Sequence, residues 1–278
     1  MTCTDAFFIT VTYTLIAKAI QGYSMSVMTQ YLEIFSNLLS QEMKLKYRRT
    51  YFGYLWSLIN PLLHLIVISF VFSHIVKWPL KNYTQYLFSG IFVCTFFQGA
   101  VFQSATSLIE NEAFIKKIYL PKFLFPLTKT TFNFIHFLFS LVVLMAVGFV
   151  MGFEVHSTVL LLPLAFIPLF IFTLGISTLL SVLTVYLRDL HQMLGVFLQL
   201  LFYATPIMYP VTALPENYQS LLQFNPFYSQ VILFQKLIYF GTIPTPLEWA
   251  VASVTALAFL LLGFYSLQIT EDQLVFEL

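Results

Sequence analysis

Four cations fall within six residues, Lys44, Lys46, Arg48 and Arg49, and Tyr51, Tyr54 and Trp56 are among the aromatic residues that follow before the chain turns almost wholly apolar. A planar guanidinium grips a phosphate-like anion through two parallel hydrogen bonds, which an ammonium cannot do. A flat ring stacks on the apolar face of a sugar. The same cluster has a second use that needs no ligand. A cation costs about 2.5–3.5 kcal/mol at the bilayer centre on the insertion scale. Four of them therefore hold this point at the membrane face where positive charge collects. Beyond that anchoring, Lys46, Arg48 and Arg49 are the candidates for an anion contact.

Other reactive constellations are missing. The chain contains no G-x-x-x-x-G-K-[ST], no H-E-x-x-H, no paired Cys/His spacing and no G-x-S-x-G. It is expected to bind no nucleotide, metal or cofactor by itself and to have no catalytic residues. Cys3 and Cys94 make no disulfide framework. The apolar runs hold almost no acidic residue; Glu154 and Glu248 lie at their ends, and His64 and His136 stand alone as packing residues. A carrier driven by protons or sodium needs buried carboxylates. The energy for any transport is expected to come from elsewhere.

Two polar connectors interrupt the apolar chain. "LIENEAFIKKIYLPK", Leu108 to Lys122, mixes Glu110, Glu112, Lys116 and Lys117 with Phe114, Ile115 and Ile118. A short helix with apolar knobs among opposed charges suits docking to another protein. "YLRDLHQM", Tyr186 to Met193, places Arg188 and Asp189 in a second such element. Aromatic residues make up 18% of the chain, with 32 Phe and 16 Tyr, and Phe within the apolar runs is expected to be largely lipid-facing bulk. Trp78, Tyr83, Tyr86 and Trp249 are expected in interfacial belts. Tyr51, Tyr54, Trp56, Phe97, Phe102, Tyr203 and Tyr209 are the candidates for lining a path that sugars follow.

The elements that position these residues follow from composition. Hydrophobic residues are 59% of the chain and charged ones only 9%, against roughly a quarter in soluble domains. So few charges cannot cover a water-facing surface, so the chain is an integral membrane protein. A spanning helix takes about 20 apolar residues, and six runs meet or approach that length: Tyr54–Val76, Tyr86–Leu108, Phe132–Gly152 with a lead-in from Phe123, Val159–Val185, Met193–Tyr209 and Leu247–Ile269. The fifth is short and closes on the two prolines of "ATPIMYP".

With the N-terminus inside, the inner segments hold Lys18, Lys44, Lys46, Arg48, Arg49, Lys116, Lys117, Lys122, Lys129 and Arg188, and the outer ones only Lys77, Lys81 and Lys236. That bias predicts both termini in the cytoplasm. Met28 to Lys44 repeats apolar residues at helical spacing (Met28, Tyr31, Leu32, Phe35, Leu38, Leu39), which predicts an amphipathic helix in the membrane interface. Pro210 to Pro246 is apolar yet carries Asn225, Pro226, Gln230, Gln235 and Lys236. It is expected to form two short re-entrant helices with turns near Pro215 and Asn225–Pro226, the alternative being an amphipathic helix lying on the outer surface. The fold class is thus all-α integral membrane. The expected layout is a poorly patterned extension over 1–27, the interfacial helix and basic run over 28–50, and a transmembrane domain over 51–278.

"LLSQEMKLKYRRTYFGYLWSLINPLLHLIVISFVFSHIV", "LFSGIFVCTFFQGAV", "ENEAFIKKIYLPKFLFP", "VLTVYLRDLHQMLGVFLQLLFYATPIMYP" and "LLQFNPFY" together resemble the ABC-2 type permeases that export bacterial surface polysaccharides. The likeness runs from about Tyr31 to the C-terminus, and Arg48, Arg49, Gly53, Leu55 and Trp56 are among its most specific residues. It implies a homodimer paired with two cytoplasmic ATPase subunits, which bind the ATP and Mg. It also implies a lipid-linked glycan as cargo, O-antigen first, in the bacterial inner membrane. Glu110, Glu112, Phe114, Lys116 and Lys117 would then couple to the ATPase, with Arg188 and Asp189 at a secondary contact. A lipid-linked diphosphate would meet Lys46, Arg48 and Arg49. The alternatives are an ABC-2 permease for a drug or lipid and, further off, a membrane-bound glycosyl- or acyltransferase.

Overall fold

The computed structural model describes residues 27–48, 50–75, 82–117, 120–222, 224–271 and 273–277. Arg49, Lys77, Trp78, Lys81 and all but the last residue of the expected extension lie outside the described residues. The chain divides into two units, 1–40 and 41–278. Of the first, the described part is the start of helix α1, Val27–Tyr47, whose last two turns belong to the second unit.

The second unit contains helices α2 (Trp56–Ile75), α3 (Tyr83–Ala105), α4 (Ser107–Glu110), α5 (Glu112–Lys117), α6 (Leu124–Met151), α7 (Leu162–Tyr186), α8 (Leu190–Ala204), α9 (Glu216–Leu222), α10 (Pro226–Gln235), α11 (Pro246–Thr270) and α12 (Leu274–Glu277). No strand occurs among the described residues. Among the described residues, four stretches are long and apolar enough to cross a membrane: Tyr83–Ala105, Leu124–Val150, Ser157–Tyr186 and Pro246–Thr270. The first expected run, Tyr54–Val76, holds α2, a helix of 20 residues that is not among these four. The fifth is a helix of only 15 residues, ending at Ala204 rather than Tyr209. Thr205 and Pro206 stop it, because proline offers no N–H to continue the ladder.

Within the second unit α3 is the central element. Phe88, Phe92, Phe96 and Phe97 are buried along it. The Phe97 ring packs 4.5 Å from Phe227 of α10 and 5.6 Å from Phe172 of α7. Phe137 of α6 and Phe166 of α7 both meet Phe234 of α10, so the same aromatic core joins four helices. Helices α7 and α11 cross most closely. A Cβ on Gly175 would lie 2.4 Å from the Leu260 nitrogen, and one on Gly263 would lie 2.5 Å from the Gly175 carbonyl oxygen. Lipid is as apolar as leucine, so small residues that let backbones touch supply the attraction that burial supplies in water.

Candidate functional site

The α4–α5 end of the second unit is organised by a lysine. Lys129, in the second turn of α6, extends its ammonium to Glu42 of α1 at 2.7 Å and to Glu110 of α4 at 3.0 Å. Its side chain is only 12% exposed, against 25% for Glu42 and 50% for Glu110. Thr106 donates its hydroxyl hydrogen to the other Glu110 oxygen at 2.6 Å. Partial burial pushes the Glu110 carboxyl up, but the Thr106 hydrogen bond and the Lys129 charge outweigh it and hold the group below the usual carboxylate range. Behind this junction, Asn133 of α6 and Gln103 of α3 exchange amide hydrogen bonds at 3.1 and 3.5 Å.

The expected docking helix is broken into two. Asn111 leaves helical geometry between α4 and α5, and its side-chain amide donates to the Ser107 carbonyl at 2.8 Å. Asparagine competes with the ladder in this way because its amide reaches nearby backbone groups. In α5, Ile115 is buried, while Glu112 and Lys116 pair at 2.8 Å on the exposed side with Lys117 beside them. Phe114 is half-buried. Arg188 and Asp189 are both exposed in the turn between α7 and α8. One turn on, the His191 ring lies 4.2 Å from Phe102, which remains 38% exposed. Gln98 secures the same pair of helices by donating to the Leu198 carbonyl at 2.7 Å.

The basic run is split by its surroundings. Lys44, Lys46 and Arg48 are all exposed, but Lys46 also stands 5.0 Å over the Phe132 ring of α6. Partial burial lowers the Lys46 ammonium from its ordinary value. Tyr51 is fully exposed, and Trp56 is half-buried with Phe52 edge-on at 5.7 Å. Tyr54 is the middle residue of a short 3-10 turn, Gly53–Leu55, and its side chain is not described. Phe97 does not join these rings. Only 2% exposed, it is a core residue, and its place among Phe172 and Phe227 leaves no face for a sugar.

At the other end, the break after α8 is closed by side chains from two other helices. Tyr86 of α3 donates its phenolic hydrogen to the Pro206 carbonyl at 3.1 Å and the Tyr209 carbonyl at 2.8 Å, and Tyr83 donates to Met208. Gln235 of α10 reaches the Pro206 carbonyl at 3.0 Å. Irregular backbone survives at membrane depth only when protein or water satisfies such groups. This demand explains why Tyr86, expected in an interfacial belt, is instead 1% exposed inside the unit. Tyr203, 58% exposed, accepts at its carbonyl a hydrogen bond from the Tyr209 hydroxyl at 2.9 Å.

Helix α10 begins at the expected turn. Asn225 caps it by accepting from the Phe227 and Tyr228 amides at 3.0 and 3.4 Å, with Pro226 in the first turn. It ends in a π turn, Lys236–Phe240, and Gly241 at φ +62. Any Cβ on Gly241 would lie 2.4 Å from the His156 ring. Lys236 then pairs with Glu248 at 2.6 Å, and Glu248 also completes a capping box with Thr245 at the start of α11.

Sequence reasoning placed Lys129 only among charges that set orientation and did not single out Glu42 or Asn133. One signal for Lys129 was present. A lysine inside an uninterrupted apolar helix needs a partner, and α6 runs without a break from Leu124.

An all-helical chain with apolar spans, a polar two-helix connector and a proline-broken helix is the architecture of a membrane permease. The sequence model of the ABC-2 type transporter family matches residues 33–239, and the chain belongs to that family. It is an integral membrane protein and a transport subunit. It is 32% identical over 222 residues to "O-antigen export system permease protein RfbA" of Klebsiella pneumoniae, covering 80% of this chain and 85% of that one. A permease of the same name from Myxococcus xanthus is 28% identical over 217 residues, 77% of this chain and 84% of its own. "Polysialic acid transport protein KpsM" of Escherichia coli is 21% identical over 242 residues, 86% of this chain and 93% of its own.

Proposed function

We propose that this chain is the transmembrane subunit of an ATP-driven exporter that moves a lipid-linked polysaccharide, O-antigen foremost, across the bacterial inner membrane. The observation that carries this reading is the likeness to the O-antigen export permeases over four-fifths of the chain. Two copies pair with two ATPase subunits, which bind the ATP and Mg. Six spans leave both termini in the cytoplasm, with α2 and α8 supplying the first and fifth. Helix α1 lies in the inner interface. Helices α9 and α10 form a re-entrant pair at the outer face, consistent with the way α3 and α10 close the α8 break.

Helices α4 and α5 dock on the ATPase through Glu110, Glu112, Phe114, Lys116 and Lys117, with Arg188 and Asp189 beside them. Lys46, Arg48 and Arg49 meet the lipid diphosphate. Of the aromatic candidates, Tyr51, Tyr54, Trp56, Phe102, Tyr203 and Tyr209 retain the path-lining role, and Phe97 supports them from the core. Deleting the gene should strip polysaccharide from the cell surface and leave lipid-linked polymer inside, and the intact gene should restore export. Polysaccharide that still reaches the surface of the deletion strain would refute the reading and favour another cargo.

A further inference from the structure

Three separate elements meet at a single ammonium, which is more than an orientation signal requires. A four-residue helix such as α4 cannot hold itself, because one turn returns too few hydrogen bonds for the dihedrals it fixes. Its position rests on Ser107 and Leu108, which are buried, and on the Glu110 contacts with Thr106 and Lys129. Lys129 in turn is fixed to α6, and its second partner Glu42 is fixed to the end of α1. Two carboxylates on one ammonium leave a net charge of about −1 at neutral pH. Lys129 therefore keeps a neutral pair with either carboxylate when the other withdraws. Glu110 is the more exposed of the two and is better able to exchange its partner for water.

We propose that Lys129 is a positioning residue: through its ion pairs with Glu42 and Glu110, it makes the α4–α5 connector, the start of α6 and the end of α1 move together when the connector is displaced. The displacement rests on the reading of α4–α5 as the ATPase-docking element. The junction itself concerns only this chain. It converts a push on a six-residue surface helix into a shift at the base of a span. The basic run just beyond Glu42 shifts with it.

The test uses the full chain with its ATPase, carrying spin labels at Leu45→Cys and Ala113→Cys. In the parent the label-to-label distance stays narrow with and without ATP. In Lys129→Met it broadens, and surface polysaccharide falls about tenfold, within the range of ordinary coupling energies. Lys129→Arg keeps both properties. Lys129→Glu loses export, and the full inversion Glu42→Lys, Glu110→Lys, Lys129→Glu recovers it to within about threefold of the parent, as a coupled charge network requires. Identical distance distributions in the parent and Lys129→Met overturn the proposal. So does a triple variant no better than Lys129→Glu, a comparison that decides the matter even if Lys129→Met fails to assemble. The label distances do not depend on the cargo. A parent gene that fails to restore polysaccharide would sink the cargo reading, and the distances would still decide the junction.

Discussion

Glu110 shows how a single side chain is tuned by three neighbours with opposed effects. Burial raises its proton affinity, while Thr106 and Lys129 lower it further than burial raises it. A carboxyl whose folded value is depressed stabilises the fold above its unfolded pKa and loses that contribution as pH falls through the folded value. In detergent at neutral pH the parent should therefore melt above Glu110→Gln. The two melting curves should converge as pH drops below the ordinary carboxylate value of 4.5. A constant gap from pH 7 to pH 3.5 would show that Glu110 acts by packing alone. The charge types at this end were legible in the sequence, since Glu110, Glu112, Lys116 and Lys117 stand out from an apolar background. Their partners were not. Glu42 and Lys129 are 87 positions apart, and no local pattern tells a cation that faces water from one that bridges two helices.

At the scale of elements, the sequence reported spans well and breaks poorly. Helices α3, α6, α7 and α11 fall on the long apolar runs because twenty or more apolar residues admit few other structures. The two short helices after Pro215 and Asn225 were also foreseen, since proline and a capping asparagine mark helix starts. The end of α8 was misjudged by five residues, because the apolar residues of "ATPIMYP" read as span while its prolines forbid helix. Only the tertiary partners show how that break is tolerated. Gln235 is one of them, so Gln235→Leu removes a donor from the buried Pro206 carbonyl. Tyr86 still donates to that carbonyl, so the loss should be about 0.5–1.5 kcal/mol of stability, read as a lower thermal midpoint in detergent. Exposed Gln192 of α8 should tolerate the same substitution with little change. Equal losses at both positions would deny the break any special need of Gln235.

For the molecule as a whole, cohesion comes from two kinds of contact that composition cannot distinguish. One is the aromatic core, where phenylalanine is spent on packing rather than on lipid, and Phe97 belongs to it. The other is the α7–α11 crossing, where Gly175 and Gly263 bring two backbones together. Both join residues far apart in sequence, as does the closure of the break after α8. That closure also sets an order of events during synthesis. The Pro206 carbonyl is made before Gln235 exists, and Tyr86 alone waits for it. A ribosome that has just released α8 thus leaves behind a 15-residue helix with an unsealed end, poorly suited to leave the insertion machinery for lipid. Thr205, 0% exposed in the complete fold, marks the α8 end: a Thr205→Cys thiol should stay reachable by a water-soluble reagent in nascent chains truncated at Leu222, and become protected once the chain extends through α11. Equal labelling of the short and long chains would mean that α8 settles in the bilayer unaided. On the expected outcome, α9 and α10 act as a late-arriving chaperone for the helix that precedes them.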